Sequence, residues 1–307
     1  MAFVKIGLIG LGRMGAGIAE RLLIGGHEVV GFDLHKENAL QAEKIGVKVV
    51  NSIQAIAEHC REIWLMVPPG KPVDDVIEQL LPHLQDDDIL IDGGNSNFHD
   101  SVRRAKKVAA ENIVYLDCGT SGGLAGRTQG YCLMVGGDYI AYQKMLVAFA
   151  AIAAPQGVAY MGPSGSGHYV KMVHNGIEYG LLQAYAEGFQ LLKEGSYKKD
   201  NLNLEEIARL WNHGSIIRSY LLDLSEHVFA KDQEFSNISG EIAEGGTGKW
   251  TVEDAHTNKI PVPIIEESLE VRKWSRETGG NYATKVIALL RNAFGGHEVK
   301  HTENKPE

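Results

Sequence analysis

The 307-residue sequence has little cysteine, a shortage of positive charge and no long apolar run. Its three cysteines, Cys60, Cys118 and Cys132, are widely spaced and form no CxxC pair, which argues against a zinc ribbon and a secreted disulfide framework. No other cluster of metal-ligand residues stands out, so no metal is expected. A formal net charge of -9 argues against broad electrostatic capture of nucleic acid or an anionic membrane. An anionic substrate would need a local cationic pocket. No apolar stretch reaches the ~18–20 residues of a membrane-crossing helix. The start "MAFVKIGLIGLGRMG" enters a strand pattern without a signal-peptide layout. A cytoplasmic chain with neither membrane nor nucleic acid as partner is expected. Internal repeats and low-complexity segments are also missing.

What is present is ordinary for a globular protein: 44% hydrophobic and 22% charged residues, in a chain long enough for about two domains. The segments "KIGLIGL", "EVVGFD", "VKVV", "EIWLMV", "DILIDGG", "NIVYLD", "CLMVGG" and "GVAYMG" read as strands. Most are continuous apolar runs, as in a parallel sheet covered on both faces. Helical patterns at 14–25, 36–45, 71–84 and 98–111 alternate with them, which predicts a doubly wound α/β domain over 1–164. After "GPSGSG" strand signals vanish, and helices are predicted at 167–195, 203–214, 216–228, 249–257, 261–278 and 282–293. Asn203 and the prolines Pro261 and Pro263 are start signals. An all-helical domain is therefore expected over 165–300, with a frayed polar tail in "VKHTENKPE", 301–307 lying beyond the domain.

"GLGRMG" follows the first strand and opens a helix, the setting in which GxGxxG binds a dinucleotide in a Rossmann-type domain. Gly10 permits the tight turn, Gly12 lets the backbone approach pyrophosphate, and Gly15 allows close helix–sheet packing. Leu11, Arg13 and Met14 complete the loop, whose helix N-terminus offers N–H groups to phosphates. Asp33 ends the second strand, where a carboxylate accepts from ribose hydroxyls and repels a 2′-phosphate; no arginine follows in "LHKENA". NAD is expected in preference to NADP, unless Asp33 merely caps the next helix. "MVPPG", with Val67 and Pro68, and "DGGNS", with Asn95, end the next two strands, where such folds bind ligands. Each could equally be a structural turn. The same holds for "DCGTSGGLAG", whose Ser121, Gly122 and Gly123 can present a hydroxyl and bare N–H groups.

"KMVHNGIEYG" is harder to read as structure alone. Lys171, His174, Asn175 and Glu178 fall at i, i+3, i+4 and i+7, one stripe of a helix flanked by apolar residues. Burial would move a lysine and a glutamate towards neutrality, making a usable base and acid. A structural Lys171–Glu178 pair joining two helices is the alternative.

"GLGRMG", "DGGNS", "GTSGG", "KMVHNGIEYG", "GTGKWT" and "RNAFGGH", in this order, closely resemble the decarboxylating 6-phosphogluconate dehydrogenases over almost the whole chain. The resemblance implies oxidative decarboxylation of a phosphorylated sugar acid, 6-phospho-D-gluconate, to ribulose 5-phosphate. In it, the lysine matching Lys171 takes the C3 hydroxyl proton and the glutamate matching Glu178 protonates the enediol. Asn95, Ser121, Gly122, Gly123, His174 and Asn175 would hold the substrate, and Tyr179, Thr247, Arg272 and Arg291 its phosphate. His297 matches the histidine of Arg-x-x-Phe-Gly-x-His. In the family the last arginine and histidine come from a neighbouring subunit, so a homo-oligomer sharing site residues is implied.

Two departures stand out. Gly245 replaces a lysine that touches phosphate in the family's long members, and Lys249 cannot simply be taken as its substitute. The second helical array of those members is mostly absent, which resembles the short, NAD-preferring bacterial-type branch. Two other functions remain: a non-decarboxylating β-hydroxyacid dehydrogenase of the 3-hydroxyisobutyrate or tartronate semialdehyde type, and a non-catalytic nucleotide-binding protein.

Overall fold

The computed structural model describes residues 3–302 and folds as two units divided after Met172. The first is built on one sheet of eight strands: β1 (Lys5–Ile9), β2 (Glu28–Phe32), β3 (Lys48–Val49), β4 (Glu62–Leu65), β5 (Ile89–Asp92), β6 (Val114–Ser121), β7 (Tyr131–Gly137) and β8 (Ala153–Gly162). Their order is β3-β2-β1-β4-β5-β6-β7-β8, parallel except where β7 runs antiparallel to β6. The apolar runs have a direct explanation. On β5, Ile89 and Ile91 face one core while Leu90 faces the other, and on β4 Trp64 separates from Ile63 and Leu65 in the same way. Both faces are buried, so alternate positions are all apolar.

Helices α1 (Arg13–Ile24), α2 (Lys36–Lys44), α3 (Ile53–His59), α4 (Lys71–Leu80), α5 (Phe98–Ala109), α6 (Gly126–Gln129) and α7 (Tyr139–Ile152) accompany the strands. Then α8 (Ser166–Glu194) runs on into the second unit, with α9 (Leu204–Asn212), α10 (Tyr220–Phe229), α11 (Gly246–Thr257), α12 (Pro263–Thr278) and α13 (Tyr282–Gly295). The core of that unit gathers Leu182, Ala186 and Phe189 of α8 with Phe229 of α10 and Val286, Ile287 and Leu290 of α13. Phe189 and Phe229 meet edge to face, with ring centroids 4.6 Å apart.

The α/β sheet followed by a helical unit is the architecture that the periodicity predicts. Some elements differ for identifiable reasons. Helix α4 stops at Leu80 rather than 84, because Pro82 has no N–H to give to the Glu78 carbonyl and a 3-10 turn follows. Helix α10 starts at Tyr220, not 216, with Ser219 accepting the Leu222 N–H as its cap. Helix α7 has no amphipathic pattern to find: "YIAYQKMLVAFAAI" is apolar almost all round. The tail differs too. Ser239 N donates to Lys300 O and Thr302 N to Asn237 O, so this stretch is paired rather than frayed; 303–307 lie outside the described residues.

The start of α8 is fastened to the sheet. Asp117, fully buried on β6, accepts the backbone N–H groups of Gly165 (2.6 Å) and His168 (2.9 Å). A carboxylate at a helix N-terminus satisfies otherwise orphaned donors and complements the helix dipole. His168 Nδ1 lies 2.7 Å from Ser101 Oγ on α5. A Cβ on Gly167 would stand 2.4 Å from Met134 O and 2.5 Å from Asp117 O, so only glycine lets the helix approach this closely. Charged hydrogen bonds of this kind contribute about 1.5–3 kcal/mol each. Asp117→Ala should therefore lower unfolding free energy by about 2–4 kcal/mol, read from a urea titration; a loss below about 0.5 kcal/mol would sink the anchoring role.

Candidate active site

The carboxyl end of the sheet carries the first group of residues. Gly10 turns with φ 95°, and a Cβ on it would lie 2.5 Å from Met66 O. A Cβ on Gly15 would lie 2.0 Å from Gly10 O, so α1 can seat against β1 only at a glycine. Around Gly12, by contrast, a Cβ would meet nothing within 4 Å. The first turn of α1 has neither an acidic residue nor a side-chain cap. An open approach to uncapped N–H groups fits a pyrophosphate. Leu11 is buried, Met14 half-buried and Arg13 exposed.

Asp33 ties this loop together. Its carboxylate accepts from Leu11 N (2.6 Å), His35 N (2.7 Å) and Asn38 Nδ2 (3.1 Å). The N-cap position of α2 is His35, so Asp33 is not simply that helix's cap. A carboxylate has about four acceptor positions, and with three engaged, Asp33 has one left for a ribose hydroxyl rather than two.

Half-buried Val67 and exposed Pro68 follow β4, and exposed Asn95 follows β5. The two loops abut: a Cβ on Gly94 would come 3.1 Å from Val67 O. Strand β6 continues beyond the predicted "NIVYLD" to Ser121, and Gly122 (φ 121°) and Gly123 (φ 53°) turn the chain with positive φ. Lys171, 8% exposed, sits against this strand, since a Cβ on Gly119 would lie 2.4 Å from Lys171 Cβ.

The helical unit carries the second group. His174 Nδ1 and Asn175 Oδ1 are 3.0 Å apart, and Asn175 Nδ2 donates to Thr247 Oγ1 at 3.1 Å. Glu178 is half-buried on the same face of α8. Tyr179 OH donates to Gly245 O at 3.3 Å, and its ring fills the place that a Cβ on Gly248 would need. The guanidinium of Arg272 lies 3.3 Å above the Tyr179 ring centroid. Lys249 is exposed and pairs with Glu253 along α11, two positions beyond the buried Thr247. It does not take the place of the lysine missing at Gly245. Arg291 is buried and interacts electrostatically with Tyr179, Glu178 and Arg272. With the second helical array absent, α13 packs directly into the core shared with α8. His297 is exposed, edge-on to Phe294.

Arg272 is the least satisfied group here. It is 1% exposed, and among the described residues neither of its terminal nitrogens has a hydrogen-bond partner. Burial pulls its pKa down to about 10, with the nearby Arg291 charge acting in the same direction and Tyr179 and Glu178 opposing. It stays cationic at neutral pH. Burial lowers the pKa of Arg291 as well. Two buried forks suit a phosphate, which each can bind in bidentate fashion. Sequence reasoning had reached these arginines only through the resemblance. It missed Asp117 and Gly119, which hold α8 and admit Lys171; their signal was the strand pattern running on through "DCGTS".

A folded-state pKa below the unfolded one means that charged Arg272 subtracts stability at neutral pH. Unmet nitrogens cost about 1–3 kcal/mol, against roughly 2 kcal/mol at most from the ring contact. Arg272→Met should therefore raise the ligand-free Tm, and millimolar inorganic phosphate should raise the Tm of the wild type but not of this variant. A destabilised variant that still responds to phosphate would contradict this.

The family model for the NAD binding domain of 6-phosphogluconate dehydrogenase matches residues 5–162, and that for the 6-phosphogluconate dehydrogenase C-terminal domain matches 167–305. The chain is 46% identical over 306 residues to the NAD(+)-dependent, decarboxylating 6-phosphogluconate dehydrogenase of Haloferax volcanii, covering 98% of this chain and 100% of that one. It is 38% identical over 292 residues to the decarboxylating 6-phosphogluconate dehydrogenase of Escherichia coli, but spans only 61% of it. Among solved structures, Plasmodium falciparum 6-phosphogluconate dehydrogenase superposes with TM-score 0.80 at 30% identity, covering 94% of this chain and 70% of that one. Mycobacterium tuberculosis 3-hydroxyisobutyrate dehydrogenase (TM-score 0.74, 20% identity, 94% and 100% covered) shares the fold. With both halves matched in order and a full-length relative of similar size, the chain belongs to the 6-phosphogluconate dehydrogenase family.

Proposed function

We propose that the protein oxidatively decarboxylates 6-phospho-D-gluconate to ribulose 5-phosphate and CO2, with NAD preferred over NADP. The observation that carries this reading is the buried, unsatisfied fork of Arg272 over Tyr179, on the helix that also bears Lys171 and Glu178. With the carboxylate end assigned to other residues, a second anionic group such as a phosphate suits this cation. The names of the Haloferax relative and the Plasmodium structure support the substrate class and, for Haloferax, the cofactor. Asp33 supports NAD, because a 2′-phosphate would meet its carboxylate.

Bound NAD supplies the acceptor for the hydride that leaves C3. Lys171 takes the proton of the C3 hydroxyl as that hydride departs. The C1 carboxylate of the 3-keto acid then leaves as CO2, its bonding electrons moving towards the C3 carbonyl, and protonated Lys171 returns its proton to that oxygen. Glu178 protonates the resulting enediol at the carbon that lost CO2, C1 of the product, while neutral Lys171 takes the hydroxyl proton released as the ketone forms. Lys171 suits the first role by its low exposure against β6. In this reading Ser121, Gly122, Gly123, Asn95, His174 and Asn175 orient the carboxylate and hydroxyls, and Thr247, Arg272 and Arg291 hold the phosphate. Arg291 of the same chain can serve there; His297 would act from a neighbouring copy.

Steady-state assays with 6-phosphogluconate and gluconate, each with NAD and NADP, test the whole reading. Turnover with 6-phosphogluconate and NAD should exceed the other pairs by at least ~100-fold in kcat/KM; no activity on either acid refutes it. Lys171→Ala should lose about 10²–10⁴-fold in turnover with NAD binding nearly intact. Glu178→Gln should slow release of ribulose 5-phosphate, and unchanged product formation would remove Glu178 from the final protonation.

A further inference from the structure

Arg104 lies on α5 and is none of the site residues, yet its side chain is fully buried. It is the hub of a polar network within the first unit. Nε donates to Asp74 Oδ1 on α4 at 2.9 Å, and one terminal nitrogen donates to the backbone O of Gly70 at 2.8 Å. The other reaches Asp92 Oδ2 at 3.3 Å and Ser96 Oγ at 3.2 Å. Asp92 is saturated in turn: Oδ2 also accepts from Ser96 Oγ (2.8 Å) and Tyr115 OH (2.9 Å), and Oδ1 from Gly94 N (3.1 Å). Gly70 ends the "MVPPG" loop in a conformation with φ 85°, and Ser96 sits beside Asn95 in "DGGNS".

One guanidinium thus grips both loops that follow the neighbouring strands β4 and β5. Burying an arginine is costly unless its hydrogen bonds are met, and here all three nitrogens are engaged. A simple strut would need no such reach into two separate loops. The planar fork fixes the distance between a backbone carbonyl on one loop and a hydroxyl on the other, together with the carboxylate that ends β5, which an ammonium group cannot do.

We propose that Arg104 is a positioning residue that sets the spacing of the 66–70 and 93–97 loops and thereby shapes the pocket for the nicotinamide half of the cofactor. This rests on the proposed NAD binding: Val67, Pro68 and Asn95 follow the carboxyl ends of β4 and β5, where a dinucleotide held by the 10–15 loop would place its nicotinamide half, Asn95 then lying between cofactor and substrate. The adenosine half depends on the 10–15 loop and Asp33, which Arg104 does not touch. The two halves of the dinucleotide therefore separate a positioning role from a general structural one.

The test compares NADH with ADP-ribose, which lacks only the nicotinamide, for the wild type, Arg104→Lys and Ser96→Ala. Arg104→Lys should raise the Kd for NADH about tenfold and lower kcat by a similar factor, with the Kd for ADP-ribose within about twofold of wild type. Ser96→Ala, which keeps the buried charge paired, should shift NADH in the same direction by about threefold. Equal weakening of both ligands in Arg104→Lys, or wild-type NADH affinity and kcat, overturns the inference. If Arg104→Lys does not fold, Ser96→Ala decides, and unchanged NADH affinity there overturns it. A wild type that binds neither ligand would instead refute the nucleotide reading, and this inference with it.

Discussion

Asp117 accepts two backbone N–H groups from the segment that becomes α8, and the position of Lys171 against β6 depends on what those bonds fix. The carboxylate holds the first turn of a 29-residue helix on the sheet. Because a helix carries its residues at fixed angular steps, anchoring the first turn sets the direction of Lys171 one turn further on. Gly119 and Gly167 are the steric counterpart, removing side chains where strand and helix must meet. A loop could not hold Lys171 against β6 with the same definition.

Two buried arginines, Arg104 and Arg272, are treated in opposite ways. The charge of the first is matched: Arg104 engages Asp74 and Asp92, and Tyr115 and Ser96 complete the set. Burial would raise the pKa of Asp74, yet the hydrogen bonds from Arg104 and Arg103 outweigh it and hold the carboxyl below its ordinary value. In the second unit Arg272 is buried with its terminal nitrogens unmet. A matched network gives rigidity, whereas an unmatched one gives affinity, because its desolvation cost is already met before an anion arrives.

Much of this was legible in the residues. The βα alternation and the loss of strand signals after "GPSGSG" described the architecture, because burial of both sheet faces leaves continuous apolar runs. The stripe in "KMVHNGIEYG" was legible because helical periodicity is local. Long-range partners were not. Arg104 follows a second arginine on a helix with an exposed charged face, and only its spacing with Ser101 and Val108 hints that it points inward. The pairing of Tyr179 with Arg272 crosses more than ninety residues, which no local pattern can encode. The outer position of Lys249 needed the actual phase of α11, which begins at Gly246 rather than 249.

The two ends of the sheet have a consequence for how this chain meets other copies. One edge, β3, is only two residues long. The other, β8, contains Pro155 and has Gln156 at φ 61°, and its register with β7 shifts at two points. Proline withholds a donor and an irregular ladder twists the strand away from a flat template. Parallel sheets assemble through distant pairings and expose their edges while they do so. Here those edges are poorly shaped to recruit a stray strand, so the sheet resists growth into aggregates at the stage when it is most vulnerable to it.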